Sequence, residues 1–149
     1  MAARATDKRV SRYVLDSFAV LSFFWNEAGA DRVREILDDR RSQRWMSVIN
    51  MGEAYYKVMR RVDSSQREAA GNSMLRLLTQ NPIQFVPALM PLTLRAARLK
   101  ANYPLAYADC FAAALASGLH AAVVTGDPEF AQLERDNVVD IEWLPRSRR

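Results

Sequence analysis

The 149-residue sequence predicts an α/β fold, a parallel sheet covered by helices on both faces. Short apolar runs with strand character, at residues 13–15, 45–49, 83–86, 121–124 and 138–143, alternate with stretches of helical periodicity. The runs that look central are apolar throughout, as strands buried on both faces must be. Helices between successive strands supply the crossovers that parallel pairing needs, and right-handed crossovers allow a doubly wound arrangement. The strand order stays open, and the length suits one domain.

Residues 1–11 are polar and basic and read as an N-terminal arm. The domain is expected over residues 12–145, and residues 146–149 form a basic tail. After the first strand, residues 18–25 read as an apolar helix; Gly29 breaks it, and a helix over 31–38 follows with Val33, Ile36 and Leu37 on one face. The second strand leads into a helix over 50–62 that buries Met51, Tyr55, Val58, Met59 and Val62. Ser64 or Ser65 is placed to cap the next helix, which ends at Asn81-Pro82. The third strand closes at Pro87, and a helix over 93–103 carries Leu94, Ala97 and Leu99 inward. The helix over 105–117 is rich in alanine, which lets it lie close to a sheet, and Gly118 stands where a left-handed cap is expected. The segment TGDPEF joins the last two strands.

Composition narrows the chemistry. With 50% hydrophobic and 26% charged residues and no apolar run near the ~18 residues of a membrane span, no membrane segment is expected. The basic N-terminus lacks the apolar stretch of an export signal, so a cytoplasmic protein is expected. A single cysteine, Cys110, and a single histidine, His120, exclude an internal disulfide, a cysteine-based zinc cluster and two-histidine acid–base chemistry. Carboxylates must carry any catalysis. The net charge of +4 suits either a polyanionic substrate or an ordinary basic protein.

Four acids are the candidates, and each has a plain structural explanation. Asp16 follows the first strand and could cap the helix after it. Glu53 lies three residues after Asn50, the spacing of a capping box. Asp109 lies early in the alanine-rich helix, where the dipole favours an anion. Asp127, before Pro128, reads as a helix start. The fold joins them, because in a parallel sheet the C-terminal ends of the strands and the N-termini of the following helices meet at one edge. Four carboxylates in one pocket repel unless a cation neutralises them, and hard oxygen donors suit Mg²⁺ or Mn²⁺. Such a site can hydrolyse a phosphodiester.

The segments VLDSFAVL, VINMGEAYYKV, YPLAYADCFAAALA and VVTGDPEF, in this order across residues 12–143, resemble those of PIN-domain ribonucleases, and more closely the VapC toxins of toxin–antitoxin pairs. The resemblance implies a three-layer α/β/α fold with a five-stranded parallel sheet and Mg²⁺- or Mn²⁺-dependent cleavage of RNA, with tRNA or rRNA as the substrate class. It also implies homodimerisation and inhibition by a small antitoxin. By motif position Asp16, Glu53, Asp109 and Asp127 form the acidic quartet, with Asp16 and Asp109 as primary metal ligands and Glu53 and Asp127 acting through water. Ser17 and Thr125 are supporting hydroxyls. The arm of about eleven residues, with Arg4, Lys8, Arg9 and Arg12, departs from the family pattern.

Other features are weaker. Three arginine or lysine groups (Arg40, Arg41 and Arg44; Lys57, Arg60 and Arg61; Arg146, Arg148 and Arg149) could contact phosphates, although solvated helix faces and tails account for most such clusters. Phe23, Phe24 and Trp25 could form a partner surface or pack into the core. Two other readings remain: a PIN-like module that binds RNA without turnover, and phosphoryl transfer through an aspartyl nucleophile at Asp16. The latter usually wants a second acid two residues on, where this chain has Phe18.

Overall fold

The computed structural model of the chain describes residues 10–147. Five strands, β1 (Arg12–Leu15), β2 (Gln43–Ser47), β3 (Gln84–Val86), β4 (Ala122–Thr125) and β5 (Asp140–Trp143), pair in parallel in the order β3-β2-β1-β4-β5. The expected α/β fold with a five-stranded parallel sheet is therefore present. The chain first builds outward from β1 to β3, then returns to the other side of β1 through β4. The switch point between β1 and β4, at the C-terminal ends of the strands, is where open α/β sheets form their clefts.

Seven helices cover the sheet: α1 (Ser17–Phe24), α2 (Ala30–Asp38), α3 (Val48–Arg60), α4 (Arg67–Gln80), α5 (Met90–Asn102), α6 (Tyr107–Leu119) and α7 (Ala131–Arg135). The pleat sends successive side chains to opposite faces. Val14 and Val123 join Phe111, Leu115 and Phe130 in one core, while Leu15 and Val124 join Val20, Ile36 and Met74 in the other. The two cores make the three-layer architecture. Five consecutive buried small or apolar residues in α6, Ala112 through Ala116, let that helix lie flat against β1 and β4.

Several boundaries differ from the sequence-based expectation, each for a local reason. The second strand ends at Ser47, because the Ser47 hydroxyl accepts the Ile49 amide and caps α3. Glu53 therefore lies in the second turn, and the Asn50 capping box is not formed. Asn50 is instead fully buried and donates from Nδ2 to the Ala108 carbonyl, 3.0 Å away. Neither Ser64 nor Ser65 caps α4; both lie in a 3₁₀ turn, Ser64–Gln66, that leads into it. Helix α5 begins earlier than expected, at Met90 with Pro91 in its first turn, and its buried residues are Leu92 and Ala96. Leu94, expected inward, is 48% exposed. Gly118 is still helical, with the Arg95 guanidinium occupying the space a side chain would need. The left-handed residue that ends α6 is His120, at φ 52°.

Phe23, Phe24 and Trp25 are half-buried against the α1–α4 core. Arg44 is tied to the carbonyls of Pro82, Ile36 and Asp39, at the sheet edge opposite the strand ends. Arg4, Lys8, Arg9, Arg148 and Arg149 lie outside the described residues. Arg12 donates to the Leu119 carbonyl at 3.1 Å.

Candidate active site

The residues that end β1 and β4 set the floor of a cleft. Asp16 follows Leu15, is fully buried, and accepts the Ala19 amide on Oδ1 at 2.9 Å, so it does cap α1. Its other oxygen, Oδ2, is buried with no hydrogen-bond partner. A cap needs one oxygen; the second has no partner at hydrogen-bonding geometry, and the neighbouring Thr125 hydroxyl offsets only part of its burial. Burial pushes the Asp16 carboxyl up to about 7, opposed by Thr125 and the Ala19 amide and reinforced by Asp127 and Glu53.

Asp109 comes from the first turn of α6 and is 6% exposed. Burial, together with the charges of Asp16, Asp127, Glu53 and Glu129, pushes it up to about 8. Asp127 follows β4; its Oδ1 accepts the Glu129 amide at 2.9 Å, and its own amide donates to Thr125 Oγ1 at 3.0 Å. Thr125 is fully buried, so its hydroxyl fixes the turn that presents Asp127. Glu53, from α3, accepts the Ser17 hydroxyl and lies 3.5 Å from Lys57 Nζ, one turn on. Asn50 ties the start of α3 to the start of α6, which sets the spacing between the helices carrying Glu53 and Asp109.

Asp16, Ser17, Glu53, Asp109 and Asp127 all line one open cleft of about 520 Å³. Within it, Asp109, Asp127 and Glu129 each offer an oxygen, and these three oxygens lie within 4.8 Å of one another. Asp16 and Glu53 line the same cleft but stand outside that tight group. Glu129 was not singled out in the sequence, although it sits two residues after Asp127 in TGDPEF. The signal was the helix start itself, since a capping aspartate draws the residue whose amide it accepts to its own side.

These donors fit a hard divalent cation. All are carboxylate oxygens, as Mg²⁺ and Mn²⁺ prefer. The orphaned Asp16 Oδ2 and the upward shifts of Asp16 and Asp109 are both relieved by a positive charge among them. Among the described residues no helix is long and apolar enough to cross a membrane.

The sequence model of the PIN domain matches residues 13–136. No curated protein sequence gives a significant match. Among solved structures, the chain is similar to VapC20 from Mycobacterium tuberculosis, described as a sarcin-ricin loop cleaving toxin (14% identity, 91% of this chain and 100% of that one, TM-score 0.68). It is also similar to VapBC2 from Rickettsia felis, bound to a DNA fragment from its promoter (16% identity, 90% and 99%, TM-score 0.66). A third is FitAcB from Neisseria gonorrhoeae (21% identity, 87% and 96%, TM-score 0.59).

Proposed function

The chain belongs to the PIN domain family, and from that premise we propose that it is a metal-dependent endoribonuclease of the VapC toxin type, hydrolysing RNA phosphodiester bonds and inhibited by a cognate antitoxin. The observation that carries this reading is the buried Asp16 Oδ2 without a partner, at the strand switch point, in a cleft that also collects Glu53, Asp109, Asp127 and Glu129. Capping uses one oxygen each of Asp16 and Asp127 and does not account for five carboxylates gathered in one cleft. A cation-dependent site does.

Mg²⁺ or Mn²⁺, when bound, would polarise the phosphodiester, lower the pKa of an attacking water and neutralise the leaving oxygen. Asp16 and Asp109 are the inner ligands in this reading, with Asp127 and Glu129 completing the oxygen set and Glu53 acting through water. Ser17 donates to Glu53, and Lys57 flanks the same carboxylate at 3.5 Å, which together orient it. Glu53 is thereby oriented to accept a proton from the attacking water, and Thr125 keeps Asp127 in place. The catalytic domain spans residues 12–145, with residues 1–11 and 146–149 as flanking basic segments.

The partners follow the same reading: tRNA or rRNA as substrate in the cytoplasm, an antitoxin over the cleft, and a second copy of the chain. For the homodimer, Leu89, Met90 and Leu94 expose 64%, 74% and 48% of their surface at the start of α5, an apolar patch suited to self-association. The test is cleavage of total RNA by purified protein in Mg²⁺ or Mn²⁺, with new 5′ ends mapped, against the same reaction in EDTA. Loss of cleavage in folded Asp16→Asn and Asp109→Asn proteins is expected. RNA binding without any product in either metal would favour the non-catalytic module instead.

A further inference from the structure

The cleft continues past the acids. From Glu53 it runs along α3 by Lys57 to Arg60 and Arg61, with Trp25 at the end of α1 as its far wall. The guanidinium carbon of Arg61 lies 3.6 Å from the centre of the Trp25 ring, and that of Arg60 lies 4.9 Å from the centre of Tyr56. The Arg61 side chain is 60% exposed and approaches Glu27 only at 3.9 Å. Lys57 is 44% exposed and shares its charge with Glu53 at 3.5 Å, and Arg60 makes no ion pair among the described residues. The cationic heads thus face the cleft and water together.

One end of the groove is anionic and the other cationic, with flat π surfaces beneath two of the cations. Glu53 and Arg61 are separated by ~12 Å along the helix axis, so a chain with its reacting phosphate at the acids would pass the cations on the way out. Resting on the ribonuclease reading of the acids, we propose that this stretch is a subsite for the single-stranded RNA flanking the cleaved bond. Lys57 and Arg60 receive phosphates, and the guanidinium of Arg61, backed by the Trp25 ring at 3.6 Å, receives an unpaired base on its outer side. Guanidinium planes and aromatic rings are the surfaces on which splayed bases stack. A duplex offers phosphates but hides its base faces, so the subsite selects loops and single strands. An acidic segment of a protein would use the charges but not the stacking plane. Arg34 provides an internal contrast: it lies 5.6 Å over Phe23 but pairs with Asp31 and lies outside the groove.

The experiment measures binding of a fluorescein-labelled 12-residue oligouridylate by anisotropy, over a range of salt, with Asp109→Asn as the common background so that the strand is not consumed. Arg61→Gln and Trp25→Leu are expected to weaken binding by about 5- to 100-fold. Lys57→Gln and Arg60→Gln are each expected to reduce the slope of log affinity against log salt by about 0.7. Arg34→Gln should change neither. Thermal melts confirm that each variant is folded, and Arg61→Gln, an exposed change, keeps the test open if Trp25→Leu is not. Unchanged oligouridylate binding in Arg61→Gln would overturn the proposal, as would an equal loss for duplex RNA of the same length. An Arg61→Gln loss seen for an acidic peptide but not for oligouridylate would assign the groove to a protein and also overturn it. The two readings separate cleanly: binding that follows this pattern without cleavage by the unsubstituted protein sinks the nuclease and leaves the subsite. Cleavage with an unaltered KM in Arg61→Gln does the reverse.

Discussion

Asp127 Oδ1 accepts the backbone amide of Glu129 at 2.9 Å, and that short-range bond puts two carboxylates side by side at the mouth of the cleft, against Asp109. If Glu129 shares the cation with them, Glu129→Gln should weaken Mn²⁺ binding by about 10- to 100-fold, read by isothermal titration. The amide remains available to Asp127, so the turn should survive and the melting temperature without metal should hold or rise. An unchanged Mn²⁺ affinity would place Glu129 outside the ligand set.

The buried acids make a signed prediction about pH. Asp16 and Asp109 are shifted from 3.8 up to about 7 and about 8. Between pH ~4 and ~8 the unfolded chain has therefore released protons that the native state retains, and stability falls as pH rises through that window. Their contribution is fully present below the unfolded value and lost above the folded ones. In EDTA the melting temperature should decline from pH 5 to 8, and Asp109→Asn should flatten the upper part of that decline. Added Mg²⁺ should stabilise more at pH 8 than at pH 6, because the anions it neutralises are then formed. A metal-free melting temperature in which Asp109→Asn leaves the slope unaltered would contradict this account.

How far the sequence carried depends on the kind of signal. Asp16, Asp109 and Asp127 were legible because each sits where a strong local pattern changes: the end of an apolar strand, the only acid in an alanine-rich helix, and a Gly-Asp-Pro turn. Their convergence followed from the parallel sheet alone. The β3-β2-β1-β4-β5 order was not legible, since apolar runs do not state their neighbours. The start of α3 was missed by two residues because Ser47 reads equally as the last residue of a strand and as a cap. That slip hid the role of Asn50, whose partner, the Ala108 carbonyl, is 58 residues away. Leu94 lies ~200° around the helix from Leu92, so the buried stripe through Leu92 and Ala96 leaves it outside; apolar spacing alone does not say which of the two leucines faces the sheet.

A packing prediction concerns Gly71 in α4. A Cβ added there would lie 2.7 Å from the ring of Tyr55 in α3, so that ring must leave its place. Gly71→Ala should favour the isolated helix yet destabilise the protein by about 1–3 kcal/mol through overpacking, seen as a lower urea midpoint. Tyr55→Phe would not relieve it, because the ring carbons are the nearest atoms, whereas Tyr55→Leu should restore part of the loss. A stabilised Gly71→Ala protein would mean that the Tyr55 ring can swing aside at little cost.

Asn50 offers the sharpest test of how the site is held together. Its Nδ2 donates to the Ala108 carbonyl at 3.0 Å, its Oδ1 is buried without a partner, and the residue has no solvent exposure. The bond joins the helix that carries Glu53 to the one that carries Asp109. Asn50→Ala removes the donor from a carbonyl that keeps its own bond within α6, leaves a small buried gap and should cost about 1 kcal/mol. Asn50→Asp exchanges the donor for a carboxylate beside an already anionic cleft, and should cost more in the absence of metal than in its presence. If Asn50 only stabilised the fold, the fraction of Asn50→Ala protein that remains folded would bind Mn²⁺ as the unsubstituted protein does. Because the bond sets the spacing of two cleft acids, the folded fraction should instead bind Mn²⁺ more weakly, and Asn50→Gln should fail to rescue it, since the longer side chain moves the donor away from the Ala108 carbonyl.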